Sequence, residues 1–308
     1  MLLQAPVAVA QEYRQPGPPE SEGSGQLTPG RSSSEPTVPE LTADHARFSE
    51  LEGPFDSAPE VTRACLGCHN DAGQQIIHSI HWTWETDNPA TGQTLGKRHV
   101  INAFCGNLAT NEPRCTSCHA GYGWEETASF DFSDETAIDC LACHDTSGTY
   151  AKWPTQAGHP LYTPRTQSGR IEPYPDALVV EQTDGQYTYL PPDLAAVAAS
   201  VGRPTRRNCG NCHFFGGGGD NVKHGDLSTA LLDPSPHVDV HMSPEGADLV
   251  CVDCHVGDRH QWPGSRYHGT IRDTSRQRPG MRDTNILACD SCHTARPHNP
   301  LSLKGNKL

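Results

Sequence analysis

The chain is short of the residues that build an ordinary hydrophobic core. Only 34% of its 308 residues are hydrophobic, and 29 glycines and 26 prolines interrupt what regular structure the remainder can form. No apolar run approaches the roughly 18 residues that a helical membrane span requires, so the chain is expected not to span a membrane. Basic residues are scarce too. With 23 Lys and Arg against 37 Asp and Glu, the net charge is -14. That balance excludes a general nucleic-acid surface, which needs cations to neutralise phosphates. It also excludes steering of an anionic substrate by the molecule as a whole, so such a substrate depends on a local basic patch.

The N-terminus lacks the basic n-region and long apolar run of a full secretory signal. Residues 1–10 nevertheless end in Ala8-Val9-Ala10, a small-x-small cleavage pattern, and read as the remnant of a signal peptide. Residues 11–42 are rich in Pro, Ser and Gly and have almost no large apolar side chain. Such a segment cannot offset the entropy of ordering and reads as a disordered linker. The remaining residues, 43–308, form the expected domain.

Cysteine, by contrast, is present in a fixed pattern. Six Cys-x-x-Cys-His pentapeptides use twelve of the 13 cysteines: Cys65/Cys68/His69, Cys115/Cys118/His119, Cys140/Cys143/His144, Cys209/Cys212/His213, Cys251/Cys254/His255 and Cys289/Cys292/His293. This is the attachment signature of c-type haem, in which two thiols bond the porphyrin and the adjacent imidazole becomes an axial iron ligand. Zinc ribbons also use paired Cys-x-x-Cys, but zinc does not need a histidine after every second cysteine. A disulfide framework fits less well, because such close pairs staple no distant segments. Six covalently bound haem c groups are therefore expected. Their porphyrins would supply the missing apolar surface, giving a mainly α chain with much irregular loop, wrapped around stacked haems. Covalent haem attachment takes place outside the cytoplasm, which implies a periplasmic or otherwise exported protein.

Local patterns add a few elements. Residues 177–190 hold two β-prone runs separated by Asp184-Gly185, the signature of a small β-hairpin. Leu194, Val197, Ala198 and Val201 share one face of a helix that stops at Gly202. Residues 130–135 lead into a capped short helix. The third motif follows the second by 25 residues, which makes those two haems neighbours. Lys97-Arg98-His99 reads as a solvated charge run or as an attractor for an anion.

Six of the 17 histidines belong to the motifs, leaving 11: His45, His78, His81, His99, His159, His224, His237, His241, His260, His268 and His298. That pool is large enough to give every iron a second axial ligand. His78 and His81 share a helical face and one of them is expected to ligate; His237 and His241, four apart, fit one helical turn. Two features remain unexplained by haem attachment. Cys105 is the one cysteine outside the motifs, ten residues before Cys115. Four consecutive glycines, Gly216 to Gly219, follow the fourth motif, a run that is costly to order and suited either to close backbone approach or to a flexible turn.

Several stretches resemble the octahaem tetrathionate reductase family of multihaem cytochromes, which is related to hydroxylamine oxidoreductases and pentahaem nitrite reductases. They are Ile80-His81-Trp82-Thr83-Trp84-Glu85, Asn111 to Arg114 with the second motif and Gly121-Tyr122-Gly123-Trp124, Asp139-Cys140 to Tyr150, Cys209 to Leu227, and Asp239-Val240-His241-Met242. The likeness runs from about residue 43 to the end, apart from the hairpin segment, which looks like an insertion. The resemblance implies an active-site haem on Cys115/Cys118/His119 whose distal ligand is Lys223, with Cys105 and Asp220 lining its cleft. Read alone, Lys223 is a surface lysine. Further distal ligands implied by pattern and resemblance are His45, His81, His159, His224, His241, His260 and His298.

The implied reaction is reductive cleavage of tetrathionate to thiosulfate, with electrons delivered by a redox partner protein. Nitrite and hydroxylamine are alternative substrates. A pure electron conduit, in which Cys105, Asp220 and Lys223 have no role, is the reading from another class. The family has eight haems and this sequence six motifs, so the resemblance also implies a sequence incomplete at its C-terminus.

Overall fold

The structure is a computed structural model and describes residues 43–88, 91–99, 101–102, 106–107, 111–126, 128–171, 174–214, 219–222, 225–255 and 259–262. The expected signal remnant and the linker lie outside the described residues. So does the whole of the sixth motif, Cys289, Cys292 and His293, so the expected sixth haem site has no structural counterpart among the described residues.

Helices among the described residues are short. They are α1 (Ala58–Cys68), α2 (Ala72–Ile77), α3 (Ile80–Thr83), α4 (Glu112–Cys115), α5 (Cys140–His144), α6 (Leu194–Ala199), α7 (Arg206–His213) and α8 (Cys251–Cys254). The longest, α1, has 11 residues. Irregular chain predominates, which corrects the expectation of a mainly α fold. With so many Gly and Pro residues, few stretches are long enough to recover the cost of nucleating a helix. Each of the five described motifs nevertheless begins on a helix or in its last turn. Helical spacing puts the two thiols, three residues apart, on one face, and the histidine follows where the helix ends.

Three small antiparallel sheets accompany the helices. Strands β1 (Thr86–Asn88) and β2 (Gln93–Leu95) pair with Thr86 opposite Leu95, and β3 (Ile101–Asn102) pairs with β4 (Gly106–Asn107). The expected hairpin is present as β6 (Val179–Glu181) and β7 (Gln186–Tyr189). A third strand, β5 (Arg165–Ser168), goes beyond the sequence expectation; it pairs with β7, which becomes the central strand. Helix α6 carries Leu194, Val197 and Ala198 on its buried face, as expected, and Asp193 caps it by accepting from Ala196 N. The expected short helix after residue 130 is a 3₁₀ turn at Glu135–Ala137, capped by Asp134.

Packing is divided among small apolar clusters. One joins α1, α5 and α6 through Val61, Leu141, Leu194 and Val197, with Tyr122 and Tyr150. A second backs the three-stranded sheet with Trp153, Leu161, Tyr174 and Tyr189. A third gathers Trp84 and Trp124 around Cys115, with Phe130 and Phe132 against it.

The second and third motifs are stitched together by backbone. Gly121 bridges Ile138, Asp139 N donates to Ala120 O (2.9 Å) and Tyr122 N donates to Ala137 O (2.7 Å). Gly121 is needed for this approach, since a Cβ there would lie 2.5 Å from the Trp82 ring and 2.6 Å from Ala137 O. Residues 236–247, expected to carry His237 and His241 on a helical turn, are instead a run of turns, with Val238 N and Asp239 N both donating to Ser235 O. Arg206 of α7 anchors them through Met242 O, Asp248 and Leu249 O.

Candidate haem centres

Three motif histidines face a second histidine from elsewhere in the chain. His45 stacks on His69 with ring centres 6.2 Å apart and planes at 22°. His260 faces His144 at 6.3 Å and 74°, and His81 faces His213 at 6.4 Å and 89°. Each partner is fixed by local structure. Asp44 accepts from Ala46 N and caps the turn that carries His45. His260 Nδ1 meets Gln75 Oε1 of α2 at 2.8 Å, and Trp262 packs its ring on His81 (4.8 Å). His81 itself sits on α3. It is solvent-exposed yet closely surrounded by chain, and the resulting desolvation, with His213 and His255 nearby, pulls its pKa down to about 4.

The motifs also meet thiol to thiol. Cys65 of the first hydrogen-bonds Cys140 of the third, Cys118 of the second hydrogen-bonds Cys212 of the fourth, and Cys209 of the fourth hydrogen-bonds Cys251 of the fifth. Cys143 lies close enough to Cys209 and Cys212 to interact with both electrostatically. The fourth motif is thus a junction touching the second, third and fifth. The cysteines gather in pairs, and among the described residues no group of three or more His, Cys, Asp or Glu is arranged to hold a bare metal ion.

The second motif differs from the others. His119 is fully buried inside an aromatic enclosure of Trp82, Trp84, Trp124, Phe130 and Phe132, with ring centres 4.8 to 6.3 Å away. Its Nε2 lies 2.7 Å from Trp82 O and its Nδ1 has no partner. Burial drives its pKa down to about 3, so the ring is neutral. Cations surround the motif. The Cys118 thiol is held down to about 5, first by its hydrogen bond with Cys212 and, against the effect of burial, by Lys97, Arg114 and Lys152.

The Lys97-Arg98-His99 triplet is not a free charge run. Arg98 pairs with Glu85 (3.3 Å) and lies over the Phe132 ring (4.1 Å), His99 meets Glu85 at 2.7 Å, and Lys97 lies over Trp84 (4.7 Å). Glu85 and two aromatic faces compete successfully with water for these three side chains.

Cys105, Lys223, His224, His268 and His298 lie outside the described residues, as do the expected thioether cysteines Cys289 and Cys292 and the expected proximal ligand His293. The chain on either side of Cys105 pairs as β3 and β4, Asn102 opposite Gly106. The loop that carries Asp220 and Lys223 is closed at its base on the fourth motif, where Phe214 bridges Leu227 and His213 Nδ1 meets Gly225 O (2.8 Å). Asp220 accepts from Ser228 Oγ (3.0 Å), Thr229 N and Thr229 Oγ1 (both 2.9 Å). The other distal candidates differ in setting: His159 stacks on Tyr122 (5.2 Å, 21°) with Nδ1 2.8 Å from Tyr162 Oη, and exposed His241 lies 3.7 Å from Asp239. His78, the alternative to His81, is exposed with Nδ1 2.7 Å from Gln74 O.

Among solved structures, the chain is similar to the octaheme cytochrome c from Shewanella oneidensis, with a TM-score of 0.61 and 36% identity over 85% of this chain and 50% of that one. This is a multihaem cytochrome c fold. The chain spans about half the length of that solved cytochrome. An uncharacterized protein from Archaeoglobus fulgidus is 26% identical over 258 residues, 71% of this chain and 80% of its own length. No protein-family profile matches.

The residues fit the group that a multihaem cytochrome c carries. Two imidazoles sharing one metal, with bonds of about 2.0 Å and about 1.1 Å from ring centre to nitrogen, have centres about 6.2 Å apart. The three histidine pairs stand at that separation. At His144 and His213, Nδ1 donates to the carbonyls of Gly202 and Gly225, both at 2.8 Å, which leaves Nε2 with a free lone pair. His119 fits differently, since its Nε2 is engaged and no histidine ring faces it among the described residues. No helix of the described residues is long and apolar enough to cross a membrane.

Proposed function

We propose that the chain belongs to an exported multihaem reductase in which His45/His69, His144/His260 and His81/His213 would hold electron-transfer haems and the second motif would carry the reacting one. Bound haem supplies one-electron relay and, at the second motif, an iron with a replaceable environment. The observation that carries the reading is the contrast between motifs. A histidine stands opposite His69, His144 and His213 at two-ligand spacing; among the described residues none stands opposite His119 or His255, and of these two only His119 is buried, inside the aromatic enclosure. That contrast supports a different distal group at the second motif, and Lys223 is the proposed one. A lysine ligand must be neutral, which burial beside iron favours. The sixth motif, Cys289/Cys292/His293, is proposed to hold a further electron-transfer haem on the strength of its sequence.

The proposed substrate is tetrathionate. The Cys105 thiolate attacks one central sulfur, forming a Cys–S–S–sulfonate adduct and releasing one thiosulfate; two electrons then cleave the new S–S bond, restoring the thiolate and releasing the second thiosulfate. The cations Lys97 and Arg114 near Cys118 provide the local basic surface that the net charge of -14 otherwise denies an anion. Asp220 is proposed to line the same cleft. A redox partner protein supplies the electrons.

The test is anaerobic reoxidation of the pre-reduced full-length protein by tetrathionate, nitrite and hydroxylamine in parallel, repeated with Cys105→Ser. Fast reoxidation by tetrathionate, lost in the variant, is the expected result. Reoxidation by the nitrogen compounds alone would move the substrate to that class, and slow, variant-insensitive reoxidation by all three would leave an electron conduit.

A further inference from the structure

The first motif is the described motif most open to solvent. Of the ten motif cysteines described, only Cys68 is exposed, and Gly67 and His69 beside it are exposed as well. A group bonded to Cys68 therefore comes to the surface. His45, stacked on His69 at 6.2 Å, meets the ring of Phe48 edge-on at 5.7 Å, and Phe48 is 44% exposed. The other described motifs present less. His119 is enclosed by aromatic rings, the cysteines and histidines of the third and fourth motifs are half-buried, and at the fifth His255 is exposed but both thiols are half-buried.

Charge distinguishes this face as well. Residues 43–71 carry six Asp and Glu against two cations, Arg47 and Arg63. Glu50 and Glu52 flank Leu51, which shares an apolar cluster with Val61 of α1, and Asp71 follows His69 by two residues. All three carboxylates are exposed, and among the described residues none of them is ion-paired. At the fifth motif, by contrast, Asp253 and Asp248 are paired with Arg203 and Arg206. The second motif is flanked by cations: Lys97 lies over Trp84 of its enclosure (4.7 Å), and Arg114 directly precedes Cys115.

We infer that the face formed by Phe48, Gly67, Cys68, Glu50, Glu52 and Asp71 is the docking surface for a basic electron-carrier protein, and that electrons enter the chain at the first motif. The inference rests on the haem reading above and gives its redox partner a place and a chemistry. A cationic partner is drawn in by the net charge of -14 and turned by these carboxylates toward the first motif, away from the cations of the second. Phe48 supplies an exposed aromatic contact of the kind that interfaces favour. The step is a one-electron transfer: the partner's centre is oxidised and the group held at the first motif is reduced, with no bond made or broken and no proton moved. The onward route is fastened together. Thr62 Oγ1 of α1 donates to Ile138 O (2.6 Å), two residues before Cys140, and Ile138 bridges Gly121, two residues after His119. Asp139, the cap of α5, pairs with Lys152 (3.2 Å), whose Nζ donates to the backbone oxygens of His119 and Gly121. The first, third and second motifs are thus joined in that order, from exposed to enclosed.

The test uses the full-length holoprotein with mitochondrial cytochrome c, a strongly basic one-electron carrier, as the probe and acidic plastocyanin as the comparison. Carbodiimide coupling, which joins carboxylates to lysines in contact, is expected to place the cross-links to cytochrome c at Glu50, Glu52 and Asp71 when the peptides are mapped by mass spectrometry. Electron transfer from the pre-reduced holoprotein to ferric cytochrome c is expected to slow by about tenfold from low to physiological ionic strength. The triple variant Glu50→Lys/Glu52→Lys/Asp71→Lys is expected to slow the low-salt transfer by about tenfold, while transfer to plastocyanin is not slowed and dithionite still reduces the protein fully. Cross-links concentrated at other carboxylates, such as those of residues 125–135, or a low-salt rate that survives the triple variant, would overturn the docking surface. Failure of tetrathionate to reoxidise the protein would overturn the proposed reaction and leave the cross-link map standing; a protein without covalent haem would overturn the haem reading, with transfer lost to both probes. The wild-type map decides even if the triple variant does not fold.

Discussion

Trp82 is the residue through which two motifs feel each other. It is fully buried, its Nε1 donates to Phe132 O (2.8 Å), its carbonyl holds His119 Nε2, and it follows His81, which faces His213. Trp82→Ala is expected to cost about 3–5 kcal/mol, read as a lowered urea midpoint, because the aromatic enclosure cannot collapse onto so large a void. At Asp220, desolvation is the largest single effect and pushes the carboxyl up, but the three hydrogen bonds from Thr229 and Ser228 together outweigh it and hold the carboxyl below the usual range. A depressed carboxyl stabilises the fold fully above its unfolded value and loses that contribution as pH falls through the folded one. Protection of the Thr229 amide from hydrogen exchange is therefore expected to survive to about pH 4, the ordinary aspartate value, and to fail only below it. The residues of the motifs are legible in the sequence because their chemistry is written in five consecutive positions. The choice between His78 and His81 is not, because it depends on His213, more than a hundred positions away in sequence, which α3 brings opposite His81. Lys152 carries no local signal at all. Asp139 carries a weak one, an Asp three residues before Ala142 at the head of a helix, which is an N-cap pattern.

At the scale of elements, local patterns succeed where local forces decide. Helix α6 has its buried stripe in the sequence, although it ends at Ala199, before Val201 and the expected stop at Gly202, and the turn of β6 and β7 has Asp184-Gly185. Leu194→Ala is expected to cost about 2–5 kcal/mol, whereas Val180→Thr on the exposed strand should change stability by less than about 0.5 kcal/mol; parallel thermal melts compare the two. Strand β5 escapes a reading of the sequence because Arg165 to Ser168 has no hydrophobic alternation; it is a strand because β7 offers an unpaired edge and Arg165 finds the Trp153 face at 5.2 Å. The 236–247 turns invite a helical reading because two histidines four apart mimic helical spacing. Arg206 overrides that spacing by drawing three backbone or side-chain oxygens of residues 242–249 toward α7.

At the scale of the molecule, the apolar clusters are small and separate, and the fourth motif is where the others meet. The double variant Cys209→Ser/Cys212→Ser is accordingly expected to open more of the fold to limited proteolysis than Cys65→Ser/Cys68→Ser, which removes contact with the third motif alone. Equal sensitivity would remove the fourth motif from its place at the junction. These adjacencies are not legible in the sequence. Sequence distance puts the second motif beside the third, which the Gly121–Ile138 bridge matches, but nothing in the spacing joins the second to the fourth. The pairing of histidines has a further consequence for biogenesis. A chain emerging N-terminus first presents His45 before His69 and His81 before His213, so under the proposed pairing each of those motifs would meet its companion imidazole on arrival. His144 arrives long before His260. If these pairs hold haem as proposed, His144 would be without its companion until residues near 260 emerge and dock on α2, so of the three pairs this one would be completed last.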